Sequence, residues 1–258
     1  MEKEIKQIEK KNSLECGDRS SYQAYIGPAY EYDIMCGRQF TLLFNLGIRE
    51  TDEVLDFGCG SLRLGRVLIN YLNKYKYHGI EPNKWLVNSA IEQEMGQHII
   101  DIKKPNFSYN SDFDSAVFNK KFNFIIAQSI FSHCTMALFK KTLLNFVESL
   151  KDDGLICFTV LIDTMHGGKS KHICQPDDLR WLYPRCSILR YHQVMEYANS
   201  IGFCTDILGY HRSQKWFIFS KNKQIIDIIR DNKKNLTDLP YRFPILWNHS
   251  DLEYRKKL

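Results

Sequence analysis

Gly58 and Gly60 follow directly on the apolar run Val54-Leu55-Asp56-Phe57, and a helical pattern of Leu64, Val67 and Leu68 resumes at once. Glycine at both positions permits torsions and a close approach that a Cβ would block, so this strand-to-helix turn can cradle a nucleotide-like ligand. The neighbouring residues choose among such ligands. A dinucleotide fingerprint needs its third glycine at position 63, where this chain has Arg63 and the glycine falls at 65. The frame Gly60-Ser61-Leu62-Arg63-Leu64-Gly65 has phosphate-loop spacing, but Arg66-Val67 stands where that loop uses Lys and a hydroxyl residue. Asp56 ends the first apolar run, where its carboxylate would repel pyrophosphate and attract an ammonium group. Glu81 ends a second run, Tyr77-His78-Gly79-Ile80, at the place where a carboxylate holds two ribose hydroxyls. The expected ligand is therefore a nucleoside bearing positive charge, held by Asp56, Gly58, Cys59, Gly60, Ser61 and Arg63 on the turn and by Glu81 with Pro82.

A second group of residues suits proton transfer. His133 follows the run Ile125-Ile126-Ala127-Gln128-Ser129-Ile130-Phe131-Ser132, and an imidazole with an ordinary pKa near 6.5 can take a proton from an attacking hydroxyl at neutral pH. A histidine there can equally cap the next helix or bond a loop carbonyl. Gln128 and Ser129 lie nearer the strand end and are expected to touch the bound nucleoside. Asp163 and His166, just past a later strand, and His211, in a short connection, are further substrate-side candidates, although solvation in loops accounts for them equally well. Tyr22, Tyr25, Tyr30 and Tyr32 cluster near Arg38, and Trp181, Tyr183 and Arg185 form another aromatic group. Tyr30, Tyr32 and Arg38 are read as residues that close over the site or bind an acidic substrate. Trp181, Tyr183 and Arg185 serve as a substrate wall or as plain packing.

The elements that must carry these residues alternate. Phe40 to Leu46 reads as a helix closed by Gly47, and strands are expected at 53–57, 77–80, 107–110, 122–128 and 154–162, with helices over 64–72, 85–95 and 136–150 between them. Such alternation implies a parallel sheet with right-handed crossovers and helices on both faces. Residues 163–190, with Gly167, Gly168, Pro176 and Pro184, break the pattern and are assigned as an inserted loop over the active-site end. A helix over 191–201 and an antiparallel pair at 203–210 and 215–220 close the sheet. A single domain over 1–258 is expected: a helical cover at 1–50, a core at 51–221 and a basic tail at 222–258.

This combination resembles the class I S-adenosylmethionine-dependent methyltransferases, over roughly residues 30–221. Asp56-x-Gly58-x-Gly60 matches the family's first motif, Glu81 its ribose acid, and Asp112-Phe113 its adenine position after the third strand. Many members carry a further glycine where this chain has Leu62. The variant Ser61-Leu62-Arg63-x-Gly65-Arg66 is similar to a subgroup of small bacterial methyltransferases. The resemblance implies a Rossmann-like, doubly wound α/β sheet of seven strands in the order 3-2-1-4-5-7-6 with strand 7 antiparallel. It implies S-adenosylmethionine as cofactor, S-adenosylhomocysteine as product, and methyl transfer by in-line displacement, in which alignment and exclusion of water do most of the work.

The acceptor is narrowed by what the sequence lacks. No Asn/Asp-Pro-Pro-aromatic segment follows the fourth strand, which argues against adenine in nucleic acid, and no acidic cluster of metal-ligand character stands out. The eight cysteines contain no C-x-x-C pair, so reduced thiols are expected and no metal site. The abundance of Lys, Asn, Ile and Phe fits an AT-biased bacterial gene, and enzymes of this size in such bacteria resemble those that modify capsular polysaccharide precursors, including methyl phosphoramidate groups. The expected reaction is O-methylation of a small molecule or a nucleotide-linked glycan precursor with His133 as base. Alternatives are a non-catalytic cofactor-binding subunit and a nicotinamide-dependent oxidoreductase or epimerase.

The composition agrees. With 44% hydrophobic and 25% charged residues in 258, the chain can bury a substantial core and is neither disordered nor collagen-like. The longest apolar stretch, Leu155 to Ile162, is far shorter than the ~20 residues of a spanning helix. The charged opening MEKEIKQIEK is no secretory signal, and a cytoplasmic protein is expected. The net charge of +5 comes largely from the tail, where residues 221–258 hold nine Lys/Arg against five Asp/Glu. That is too sparse for a nucleic-acid binder.

Overall fold

The computed structural model of the chain describes residues 18–162, 178–211 and 214–232. Residues 1–17 of the expected cover, Asp163 and His166, and the tail beyond 232 lie outside the described residues.

Seven strands form one sheet: β1 (Val54–Phe57), β2 (Tyr77–Ile80), β3 (Asn106–Ser108), β4 (Phe122–Ala127), β5 (Leu150–Val160), β6 (Cys204–His211) and β7 (Gln214–Ser220). Their order is β3-β2-β1-β4-β5-β7-β6, as expected. The first five run parallel, and β7 lies antiparallel to both β5 and β6. Successive side chains on a strand face opposite ways, so Val54 and Leu55 serve different layers. Val54 packs with Leu43 of α2 (Tyr32–Asn45), Leu68 of α3 (Gly65–Tyr71) and the isoleucines of the last helix, Lys223–Asp231. Leu55 and Phe57 join Phe139, Leu143 and Phe146 on the opposite side, where the helix Met136–Ser149 and the helix Tyr191–Ser200 cover the sheet. Phe139, Leu143 and Phe146 recur at intervals of four and three, one face of an α-helix, and all three are fully buried. The Thr135 hydroxyl caps that helix by accepting from the Leu138 amide at 3.3 Å.

Several boundaries differ from the sequence reading. The helix expected at 85–95 is α4 (Lys84–Ala90), continued by a π turn at Ile91–Met95 and stopped at Gly96. A further helix, α5 (Gln97–Lys103), follows that the sequence reading did not anticipate. The π turn carries a tertiary contact. It aims Glu94 at the start of the chain, where α1 (Tyr22–Tyr25) supplies Tyr22 Oη at 2.7 Å and Gln23 Nε2 at 2.6 Å to its Oε1. Strand β3 is shorter than expected, and β5 begins four residues earlier, its register shifting between Phe122 and Phe124 on β4.

The described part of the long loop, residues 178–190, is stitched to the connection that follows β4. Leu182 N donates to His133 O at 2.7 Å, Thr135 N to Arg180 O at 3.1 Å, and Ser187 N to Ser132 O at 2.7 Å. The Thr135 hydroxyl also donates to Asp178 O. The loop thus has fixed backbone partners at the carboxyl end of the sheet, where the glycine turn also lies.

Candidate active site

The turn after β1 is held from below: Gly58 N and Cys59 N both donate to Ile80 O, at 2.9 and 3.0 Å. Gly58 (φ +74°) and Gly60 (φ +54°) occupy the left-handed region. A Cβ at 58 would stand 2.1 Å from Ile130 Cδ1, and one at 60 would stand 2.9 Å from Ile26 Cγ2. The turn is therefore overlaid by one isoleucine from the N-terminal cover and one from the connection after β4. Leu62, where many methyltransferases carry glycine, has φ +54° and is fully buried. Its burial offsets a backbone cost of roughly 1–2 kcal/mol. Ser61 is buried, and its carbonyl accepts from Tyr32 Oη at 2.6 Å. The Arg63 guanidinium reaches Gln39 Oε1 at 3.3 Å. Cys59 is buried, and burial pushes its thiol well above the ordinary range, so it stays protonated.

Two carboxylates flank this turn. Asp56 is only 5% exposed, accepts from Tyr77 Oη at 2.8 Å on Oδ2, and is pushed up to about 7 by burial. The charge of Arg63 draws it back toward ionisation, and that of Glu81 opposes. Glu81, also buried, accepts from Gly60 N at 3.2 Å through Oε2 and from the Asn83 amide and side chain, both at 2.8 Å, through Oε1. Burial raises its pKa as well. Pro82 beside it is exposed. Two buried acids held above their ordinary range become better anions when a cation arrives, so the arrangement fits a cationic nucleoside and not a pyrophosphate.

Beyond β4, Gln128 is buried with its Nε2 3.9 Å from Met35 Sδ. Ser129, at φ +59°, donates its amide to Thr159 Oγ1 at 2.8 Å and accepts from Gln214 Nε2 at 3.1 Å. The His133 ring is half-buried, with Nδ1 2.9 Å from Arg185 O. A carbonyl only accepts, so Nδ1 carries the proton and the neutral ring keeps its lone pair on Nε2. Burial lowers the pKa of His133, which leaves it neutral at pH 7.

His133 belongs to a continuous arc of rings. It lies 5.6 Å from Trp181 and 5.0 Å from Tyr183, edge-on to both. Tyr183 continues to Tyr25, and Tyr25 to Trp85. In the other direction Trp181 meets Phe113, which meets Phe57 at the end of β1. Trp181 is 44% exposed, yet its neighbours Arg180 and Leu182 are pinned by the backbone bonds above.

The structure therefore brings Asp56, Gly58, Cys59, Gly60, Ser61 and Glu81 together, and joins His133 to Phe113 through Trp181. Asp112 is exposed and bonds the Asp114 amide at 3.2 Å within its own turn. Tyr32 packs under the turn, whereas Tyr30 and Arg38 are exposed. His211 ends β6, but its side chain, like Asp163 and His166, falls outside the described residues. Tyr77, Ile26 and Ile130 were missed by sequence reasoning. Tyr77 sits on the same sheet face as Asp56 only because it pairs with Val54, and that register is not written in the sequence. Among the described residues, no cluster of three or more His, Cys, Asp or Glu is placed to hold a metal ion.

Residues 55–156 match the family described as Methyltransferase domain. The DhpI complex with SAM and HEP superposes with a TM-score of 0.56 over 83% of this chain and 96% of that one, at 11% identity. The chain shares the fold of that structure. The same methyltransferase fold is shared with magnesium protoporphyrin IX methyltransferase from Synechocystis PCC 6803 with bound SAM (TM-score 0.51, 13% identity, 74% of this chain and 82% of that one). It is shared too with the glycopeptide N-methyltransferase MtfA (TM-score 0.52, 13% identity, 72% and 90%). No curated protein sequence matches the chain.

Proposed function

We propose that the protein is an S-adenosylmethionine-dependent methyltransferase that modifies an oxygen of a small molecule or a nucleotide-linked glycan precursor. The observation that carries this reading is the pair of buried carboxylates, Asp56 and Glu81, on either side of a glycine turn whose backbone is bonded to β2. Asp56 would receive the ammonium end of the cofactor, Glu81 the ribose hydroxyls, and Phe113 with Asp112 the adenine. Gln128 and Ser129, at the end of β4, would line the methyl-donor end. When bound, S-adenosylmethionine supplies a methyl group on a positively charged sulfur, open to displacement in line.

The chain's own residues do the rest. Nδ1 of His133 is held by Arg185 O, so Nε2 would take the acceptor's hydroxyl proton as that oxygen attacks. The ring arc from Trp85 to Phe113 offers apolar faces that orient an acceptor and keep water from the sulfur. Ile26 and Ile130 close the turn from above. The cover at 1–50, the core at 51–221 and the tail at 222–258 are read as one domain. No helix among the described residues is long and apolar enough to cross a membrane. The proposed site of action is cytoplasmic, and the proposed acceptor is not nucleic acid.

Calorimetric titration with S-adenosylmethionine, S-adenosylhomocysteine and NADH tests the cofactor. Binding of the two sulfur nucleosides with no heat from NADH is expected, and binding of NADH alone would overturn the proposal in favour of an oxidoreductase. Transfer of a labelled methyl group to phosphoramidates or nucleotide-linked sugars then separates an enzyme from a cofactor-binding subunit.

A further inference from the structure

Tyr77 is a buried titratable group that the proposed reaction does not use. It opens β2, paired in parallel register with Val54. Asp56, two residues beyond Val54, shares its face of the sheet. The Tyr77 ring, flanked by Phe107 at 6.0 Å, extends along that face until its hydroxyl donates to Asp56 Oδ2 at 2.8 Å. Residue 65 decides whether it can arrive. A Cβ on Gly65 would stand 2.6 Å from the Tyr77 hydroxyl oxygen and 3.1 Å from Cζ, so the phenol would have to shift to make room for it.

We propose that Tyr77 is a positioning residue for the cofactor: its phenol, admitted by Gly65, holds the Asp56 carboxylate in the orientation that receives the ammonium end of S-adenosylmethionine. This rests on the cofactor reading given above. Among the described residues, Tyr77 is the one side chain that donates a hydrogen bond to that carboxylate. The other groups around it act at longer range: Arg63 from the turn favours the anion, and Glu81 from the end of β2 opposes it. The thiol of Cys59 and the phenol itself are kept protonated by burial, so neither adds a charge. Tyr77 thus supports the anion through geometry, by a donor already in place before the ligand arrives.

The test is titration calorimetry with S-adenosylhomocysteine between pH 5.5 and 9 on the wild-type chain, Tyr77→Phe, Asp56→Asn and the double variant. Tyr77→Phe keeps the ring and removes the donor. It is expected to weaken binding at pH 7 by about tenfold and to move the pH midpoint of binding up by about one unit. In the Asp56→Asn background the same change should alter affinity by less than about twofold, since two residues acting as one unit are not additive. An unmoved midpoint, or a full loss persisting with Asn at 56, overturns the proposal. Should Tyr77→Phe fail to fold, Gly65→Ala displaces the phenol instead, and the same upward midpoint is required of it. Wild-type protein silent to S-adenosylhomocysteine at every pH would instead bring down the cofactor reading itself, a result distinct from the failure of Tyr77 alone.

Discussion

Asp56 and His133 are both shifted by burial, in opposite directions, and each shift has a pH consequence. Asp56 rises from 3.8 to about 7, so between those values the folded chain holds a proton that the unfolded chain has released. This group therefore stabilises the fold toward acid, and its contribution is lost as pH rises through about 7. A cationic ligand prefers the ionised form, so affinity for S-adenosylmethionine should fall as pH drops below 7, about tenfold per unit once Asp56 is protonated. Calorimetry in buffers of different ionisation heat would also register the released proton. His133 moves down. Turnover should rise with pH on a limb below the ordinary imidazole value of 6.5 and be level by pH 7, and His133→Ala should lower it by about 10²–10⁴ while cofactor affinity stays within about twofold. Unchanged turnover in that variant would remove His133 from the chemistry. Leu62 is a residue-scale surprise of another kind. A position where many methyltransferases carry glycine holds a fully buried leucine at φ +54°, a left-handed conformation that a leucine adopts at a cost.

At the scale of elements, one carboxylate gathers several ties of the N-terminal cover. Glu94 accepts from Tyr22, Gln23 and, at 3.0 Å, Arg66 Nη1, while Arg66 Nη2 reaches Asp33 and its guanidinium lies 4.8 Å above the Tyr32 ring. These contacts join α1, α2, α3 and the π turn, and so hold Ile26 over Gly60. Glu94 is mostly buried, and removing it strands two neutral donors, each costing about 1–3 kcal/mol when left unmet, and takes one of its partners from Arg66. Glu94→Ala should therefore leave the sheet intact but speed amide exchange in residues 21–31 by at least about tenfold, as read by hydrogen exchange. Equal protection there would show that the cover is held by its other contacts, among them the Tyr183 hydroxyl that donates to Tyr25 O at 2.6 Å. The periodicity of 85–95 predicts a helix and the structure has one, but a polar stretch such as Glu92-Gln93-Glu94 carries no periodic signal for a π turn. Within that irregularity Glu94 accepts from Tyr22 and Gln23, a tertiary contact that local pattern does not record.

For the whole molecule, the site draws on the cover, the ends of β1, β2 and β4, and the loop at 178–190, so a ligand seated there should stabilise all of them together. Heating is expected to give one cooperative transition, shifted intact by S-adenosylhomocysteine, with about 2.7 kcal/mol added at a hundredfold excess over Kd. Two transitions, only one of which moves, would contradict the single-domain reading. The sequence by itself determined the alternation of strands and helices, the glycine turn and the acids at 56 and 81, because these depend on periodicity and on residue types a few positions apart. It also indicated that His133 follows the fourth strand, as it does in the structure. The tertiary structure alone decided that Tyr77 reaches Asp56 past Gly65, that Ile26 and Ile130 overlie the turn, and that Trp181 and Tyr183 meet His133. Each of these joins residues far apart in the chain through strand register or loop docking, and local pattern carries no record of either.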